Sequence, residues 1–593
     1  MCGIFGFYLN RKLNESDINK GKKYLDLLNH RGPDNTGLFI QKDLGLFLGH
    51  KRLSIIDVSD KSNQPMQIGS QTIAYNGEIY NYLEIKKELS KSGEEFLSDG
   101  DTEILLRSWE KWGEKCLDKL DGMYAFALFS NNRLNLVTDL FGEKPLYYIN
   151  SDEGIYFSSE PKPIVEMLNL RKEISPNQTI KFILSGHLDE ENTGYIGLKK
   201  ISPATHISID RNLGITKNKY WKTDEIINKF DLQKSLSSND LDDITNILID
   251  SIKIRLRSDV PKVLFLSSGV DSSLIASIIS KEIKDDILSL TVGFKNHSVN
   301  DESEKSKYIA KKLNIEHITI NSYENDSIKK NISLFDIYGE PIANLTAIPA
   351  LQMSLIAKQY AKVAISGIGG DEIFFGYNRY ENFYKWRKLL FTNRILSNLL
   401  SIPIKLFKEN SALSKIINEE PKLFFHIIRN HRAWTWLKNL GYFEESIDDT
   451  IVYDSKNILS NIRLLDLNHT MPNSFIPAIE RSSMKASLEV RTPFLSRKLF
   501  EKTANIHPYL FLNKGPKTIQ KIILSRFFPD YDFSTPKQGF NYPINDYLKN
   551  KNKPVNIPGL EKQDINHIWN NKKEFSWDNL ALRVNILDEF LSN

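Results

Sequence analysis

Two stretches of this 593-residue chain carry side chains that could do chemistry. The first is Cys2. Removal of Met1 would leave a thiol and a free α-amine on one residue, and the amine can serve as general base for the thiol. Taken alone, Cys2 also reads as a plain buried cysteine. The second stretch is Lys262-Val-Leu-Phe-Leu-Ser-Ser-Gly-Val-Asp-Ser-Ser273. Its small, polar Ser267–Ser273 segment would turn backbone N–H groups and hydroxyls toward one spot above a helix N-terminus, which attracts a phosphate-sized anion. The Gly-Lys-Ser/Thr ending of a P-loop is missing, and a carboxylate, Asp271, stands among the hydroxyls. An acid beside a polyphosphate makes sense with a magnesium ion between them. Ser366-Gly-Ile-Gly-Gly-Asp-Glu372 offers a second acid, Asp371, for the same purpose.

The elements that must hold these groups follow from periodicity. Val263 to Leu266 reads as a buried strand and Leu274 to Ile279 as an apolar helix start, giving strand, loop, helix. Strands at 287–294, 317–320 and 362–365 and a helix at 302–313 continue the alternation. That pattern predicts a doubly wound parallel sheet with its ligand at the C-terminal strand ends. The Ser267 loop resembles the Ser-Gly-Gly-x-Asp-Ser pyrophosphate loop of enzymes that split ATP into AMP and pyrophosphate, with Ser268 where those have Gly.

Near the N-terminus, Ile4-Phe-Gly-Phe7 would bury Cys2 in a strand. His30-Arg-Gly-Pro-Asp34 reads as a turn, and Gly49-His-Lys-Arg-Leu-Ser-Ile-Ile-Asp57 as a strand with a fixed cation, Arg52. Tyr75-Asn-Gly-Glu-Ile-Tyr-Asn81, Asp99-Gly-Asp-Thr-Glu103, Asp121-Gly-Met-Tyr-Ala-Phe-Ala127 and Asp139-Leu-Phe-Gly-Glu-Lys-Pro-Leu-Tyr-Tyr148 follow. In this order the blocks resemble the class II glutamine amidotransferase domain, an N-terminal-nucleophile hydrolase with an α+β sandwich (αββα). The resemblance implies that Cys2 attacks the side-chain amide of glutamine. It implies an oxyanion hole from Asn76 and Gly77. It places glutamine against Arg52, Leu53, Ser54, Ile55, Ile56, Asn76, Gly77, Glu78 and Asp101, with Arg52 on the α-carboxylate. Gly100 departs from the usual Ser.

Glu480-Arg-Ser-Ser-Met-Lys-Ala-Ser-Leu-Glu-Val-Arg-Thr-Pro-Phe-Leu495, Pro536-Lys-Gln-Gly-Phe540, Asp301-Glu-Ser303 and Phe374-Phe-Gly-Tyr-Asn-Arg-Tyr380 join the two loops. Together they resemble the synthetase domain of glutamine-dependent asparagine synthetases, an α/β doubly wound domain of the adenine-nucleotide α-hydrolase-like kind. The resemblance implies ATP contacts from Phe265, Ser267, Ser268, Gly269, Asp271, Ser272, Val292, Ser366 and Gly367. It implies Mg2+ on Asp271 and Asp371, Asp301 close by, and Lys537 as the catalytic cation on the phosphates. Ile368 stands where the family has an acid, and so marks the acceptor pocket. Glu340 and Asn344 depart more mildly.

Composition bounds the rest. The chain is 41% hydrophobic and 26% charged, with a net charge of +4, which gives no argument for nucleic acid or a membrane. Two cysteines, Cys2 and Cys116, exclude a disulfide framework and fit a reducing cytoplasm. The eleven histidines show no zinc-type spacing, and neither a signal peptide nor a membrane span is visible. The expected domains are a glutaminase domain at 2–206, a polar connection at 207–240 with Tyr220-Trp221 packed on one domain, and a synthetase domain at 241–593. Residues 381–460 and the tail after 551 are assigned to packing around the synthetase sheet.

The expected function is an ATP-dependent ligase with glutamine, ATP and aspartate as substrates. Ammonia released at Cys2 attacks β-aspartyl-AMP, giving asparagine, glutamate, AMP and pyrophosphate. Ammonium is a poor nucleophile, so a dry passage should join the two sites. Another carboxylate acceptor, such as a sugar uronic acid in surface polysaccharide biosynthesis, is the first alternative. A regulatory binding protein that kept the fold is the second. The assembly, a homodimer among the options, stays open.

Overall fold

The computed structural model describes residues 2–189, 191–227, 233, 235–293, 302–321, 332–390, 413, 416, 419, 424, 427, 431–441, 458–534, 542–574 and 577–592. The first half carries the strands β1 (Gly3–Leu9), β2 (Asn35–Gln41), β3 (Leu46–Arg52), β4 (Met66–Ile68), β5 (Gln71–Ile79) and β6 (Gly122–Ser130). It continues with β7 (Arg133–Thr138), β8 (Tyr147–Ser151), β9 (Gly154–Ser158), β10 (Lys199–Lys200), β11 (Thr205–Ile209) and β12 (Ile215–Lys219). They form two antiparallel sheets, ordered β10-β8-β9-β1-β3-β2 and β12-β11-β7-β6-β5-β4.

Period-two alternation in β1 explains the layering. Ile4 and Tyr8 meet Ala74, Ala125 and Leu136 in the core between the sheets. Phe5, Phe7 and Leu9 point the other way, against Leu25 and Leu28. The helix Glu15–Leu25, begun by an Asn14–Asp17 capping box, covers one sheet, and Asp101–Trp112 covers the other. The result is αββα, as the sequence implies. Both faces of β1 are buried, which fixes Cys2 at the head of a rigid strand.

The second half carries a five-stranded parallel sheet. Its strands are β13 (Lys262–Phe265), β14 (Leu288–Gly293), β15 (His317–Asn321), β16 (Val363–Ile365) and β17 (Glu489–Arg491), ordered β15-β14-β13-β16-β17. β13 has β14 on one side and β16 on the other, so the chain direction of winding reverses there. The crevice at such a switch point lies outside the C-terminal strand ends, where the loops after β13 and β16 meet.

Four expectations need correction. The hairpin β11–β12 pairs onto β7 and extends the second sheet to Lys219, past the expected boundary at 206. Every residue of β12 is exposed on this edge, which is why its composition reads as a linker. Trp221 is not confined to one domain: its ring meets Phe141 at 5.4 Å and Phe500 at 5.3 Å. The strand assigned to 49–57 ends at Arg52, and residues 53–57 leave the sheet toward Asp57 in the left-handed region (φ 45°). Finally, the tail serves the first domain as well as the second. The helix Trp577–Ser592 packs on the helix Pro176–Ser185, where Arg583 donates to Leu184 O at 3.0 Å and Phe590 meets Tyr195 at 5.1 Å.

Candidate active sites

β1 delivers Cys2, 7% exposed, beside β5 of the facing sheet. The Cys2 main-chain nitrogen donates to Asn76 Oδ1 at 2.9 Å. The other end of the same amide, Asn76 Nδ2, is buried without a hydrogen-bond partner among the described residues. An orphaned buried donor costs on the order of 1–3 kcal/mol, so its retention points to a ligand acceptor. Gly77 follows in the same strand. A Cβ there would lie 2.2 Å from Met123 O, so only glycine lets β5 and β6 approach at this point. Burial pushes the Cys2 thiol up, and the Leu53 N–H and the Arg52 charge pull it back.

The remaining glutamine-site residues surround this pair unequally. Arg52 Nη1 donates to Ser59 O and Asn63 Oδ1, both at 2.8 Å, and Nη2 donates to Asp57 O. The guanidinium is thus locked into the loop 57–63. Leu53, Ile55 and Ile56 are buried, and Ser54 N–H donates to Asp34 at 2.8 Å. Asp101 begins its helix and accepts from Tyr75 OH at 2.7 Å and Ile79 N–H at 2.9 Å; burial raises its pKa to about 6. Gly100 is accommodated, because a Cβ at that position would sit 2.5 Å from Ser62 Oγ. Glu78 turns away from the cysteine. It accepts from Arg491 on β17 at 3.1 Å, with its other oxygen unpartnered among the described residues, and burial holds its pKa well above the usual carboxylate range.

Sequence reasoning saw Arg31 only as part of a turn. In the fold Arg31 Nε donates to Cys2 O at 3.1 Å, Nη1 reaches Glu160 at 2.9 Å, and Nη2 reaches Glu480 of the second domain. Arg481 closes the network through Ser159 O and Tyr147 OH, both at 2.8 Å. Glu340 accepts from the same Tyr147, and Asn344 Nδ2 donates to Ser474 O at 3.2 Å, so both departures from the family pattern serve packing. The only sequence signal for these ties was an unusual density of buried-type charges in the 480–491 block.

At the second site, Phe265 and Val292 share one apolar cluster at the ends of β13 and β14, and Ser366 follows β16. The Ser267–Ser273 loop is closed on itself. Ser267 N–H bonds Ser272 Oγ at 3.1 Å, Gly269 N–H bonds Ser267 Oγ at 3.1 Å, and Ser268 N–H bonds Glu302 at 3.1 Å. Gly367 and Gly370 let the two loops touch: a Cβ at 370 would come within 2.8 Å of the Asp271 carboxyl. Asp271 and Asp371 do converge, and Lys517 Nζ stands between them, 2.7 Å from Asp371 and in contact with Asp271. Gln520 adds a 2.6 Å bond to Asp271. Lys517 went unnamed in the sequence, because a lysine in a Lys-Gly-Pro-Lys turn looks solvated. Lys537 and Asp301 lie outside the described residues.

Among the described residues no cluster of three metal-ligating side chains exists. Two carboxylates sharing one cation nevertheless fit Mg2+, which takes one or two protein carboxylates and completes its shell with phosphate and water. Ile368, expected at the acceptor pocket, is half-buried and lines a small cavity with Lys144, Ile476, Ile479, Val490 and Thr492, between the domains.

Comparison with known proteins agrees with this geometry. The profile described as a glutamine amidotransferase domain matches residues 1–221. The profile described as asparagine synthase matches residues 243–567, more than half the chain. Glutamine-hydrolysing asparagine synthetase 1 of Bacillus subtilis (strain 168) is 29% identical over 93% of this chain and 88% of its own length. Asparagine synthetase 3 of the same organism is 25% identical over 97% of this chain and 92% of its own length. The chain belongs to the asparagine synthase family.

Proposed function

We propose that this protein makes asparagine from aspartate, with glutamine as nitrogen donor and ATP as the activating substrate. The observation that carries the reading is the split role of Asn76: its Oδ1 holds the Cys2 nitrogen while its Nδ2 waits, buried, without a partner. In the mature chain that nitrogen is the α-amine. It takes the thiol proton as sulfur attacks the glutamine amide carbon. Asn76 Nδ2 and Gly77 N–H receive the developing oxyanion. The amine returns its proton to the leaving nitrogen, ammonia departs, and water hydrolyses the thioester to glutamate. Arg52, already fixed in its loop, keeps its remaining N–H groups for the substrate α-carboxylate, and Asp101 faces the α-ammonium.

At the second site the aspartate side-chain carboxylate attacks the α-phosphorus of ATP and expels pyrophosphate. Asp271 and Asp371 would hold Mg2+, which neutralises charge on the phosphates. Lys517 must then yield to the metal and can move onto the phosphate oxygens. Ammonia attacks the acyl-adenylate, AMP leaves, and the nitrogen sheds a proton to water. Ile368 is apolar and cannot take that proton. Its place in the interdomain cavity suits the dry passage that keeps ammonia unprotonated.

Incubation with glutamine, ATP and aspartate tests the reading. Asparagine, glutamate, AMP and pyrophosphate should appear in equal amounts. AMP release with a uronic acid but none with aspartate would overturn it. Among the described residues no helix is long and apolar enough to cross a membrane.

A further inference from the structure

We propose that a second interdomain cavity, separate from both reaction sites, binds a compact multivalent anion through phosphoryl or carboxylate oxygens. The cavity measures about 280 Å³ and its wall includes Lys144, Lys200, Lys217, Lys219 and Arg481. Glu480 is the one carboxylate in that wall. Its Oε1 is committed to Arg31, and its Oε2 lies 3.9 Å from Arg481 Nε with no hydrogen-bond partner among the described residues. Lys217 is committed to Glu191. That leaves the ammonium groups of Lys144, Lys200 and Lys219 with no ion pair or hydrogen bond among the described residues.

Two of these lysines are deeply placed: Lys144 is 2% and Lys200 8% exposed. An ammonium removed from water costs several kcal/mol unless an acceptor replaces the lost hydration. Burial pushes both pKa values down, in the same sense. Lys144 lies in the field of Glu480, Glu143, Glu489 and Asp139, and Lys200 in that of Glu340. No carboxylate among the described residues pairs directly with either ammonium, so both keep their donors for an occupant of the cavity. An anion with several oxygens, small enough for this volume, supplies what is missing. Cys2, Asp271 and Asp371 are absent from the wall, so the site is neither reaction centre. The lysines belong to the first domain and Arg481 to the second, so the occupant would span the interface that the Arg31–Glu480 pair already bridges.

Titration calorimetry with pyrophosphate and with citrate tests the proposal on the full-length protein at physiological ionic strength. Wild type should bind one probe saturably, and the preferred probe identifies phosphoryl or carboxylate chemistry. The double variant Lys200→Met, Lys219→Met should bind at least about tenfold more weakly, a loss of ~1.4 kcal/mol. Its glutaminase activity and its ammonia-dependent synthesis should stay at wild-type level. Asp271→Asn should leave this binding unchanged, which separates it from pyrophosphate held at the ATP loop. Lys219→Met alone, at an exposed position, gives the same direction of change should the double variant fold poorly. Absence of saturable binding, or affinity equal in wild type and the lysine variants, would overturn the proposal.

Discussion

The two candidate sites differ in how they stand ready. The Cys2 site is held open by strands: β1 and β5 fix Cys2, Asn76 and Gly77, and one buried donor is left waiting. The ATP site is held shut by its own side chains. Glu302 occupies a loop N–H, and Lys517 occupies the space between two acids. A neutral amide donor can wait unpaired at modest cost. Two adjacent buried carboxylates cannot, so an internal cation, Lys517, stands between them. An unpaired donor at one site and internally paired charges at the other is the lesson of the pair.

The largest effects should separate the sites completely. Cys2→Ala should abolish glutamine hydrolysis and leave ammonia-dependent asparagine formation intact, whereas Asp371→Asn should do the reverse, by assays of glutamate and AMP. Loss of both activities in either variant, with the fold intact by circular dichroism, would erase the comparison. Asn76→Ala comes next. Losing one oxyanion donor should lower glutamine turnover by about 10²–10³-fold, again sparing the ammonia reaction. A change below tenfold would mean that the orphaned Nδ2 does not face the oxyanion.

Lys517→Met sharpens the other half. Two carboxylates left facing each other should lower stability by about 3 kcal/mol near neutral pH. Added Mg2+ should then raise the melting temperature of the variant more than that of wild type, because the ion no longer competes with an ammonium. Equal Mg2+ responses would show that Lys517 does not occupy the cation position.

The smallest expected effect concerns pH. Burial raises the Asp101 pKa to about 6 from its ordinary value near 3.8. Its carboxylate, the form that can hold an ammonium, is therefore lost as pH falls through about 6. KM for glutamine should climb below that pH while kcat for the ammonia reaction does not follow. The sign for stability is opposite to that of an ion-paired acid. The raised pKa makes the charged form costly, so Asp101→Asn should gain stability relative to wild type above pH 6, and the gain should vanish below about 4. A flat KM across this range would remove Asp101 from the substrate site.

Much of this was legible in the chain itself. Cys2, Asp271 and Asp371 were singled out from residue chemistry, Asn76 and Gly77 from the resemblance of their block to the amidotransferase domain, and periodicity placed β13, β14, β15 and β16. What escaped notice shares a cause: it depends on neighbours distant in sequence. β17 is three residues long and gains its identity only by lying beside β16. β12 is wholly exposed, so no apolar alternation marks it. Glu78 carries a tie that the sequence did not show, an ion pair of one oxygen with Arg491, 413 residues away. Lys517 looked solvated until the fold carried it 246 positions back to Asp271. Ile368 lines a cavity at the seam between the domains, a neighbourhood that its loop alone did not reveal.

The central claim is that nitrogen passes from the first site to the second without entering solvent. Turnover with glutamine labelled at its amide nitrogen, in the presence of excess unlabelled ammonium at neutral pH, tests it most directly. Mass spectrometry of the asparagine should find the label retained nearly in full, because ammonia crosses the seam lined by Ile368, Ile476 and Val490. Asparagine carrying the isotope ratio of the bulk ammonium would contradict the claim.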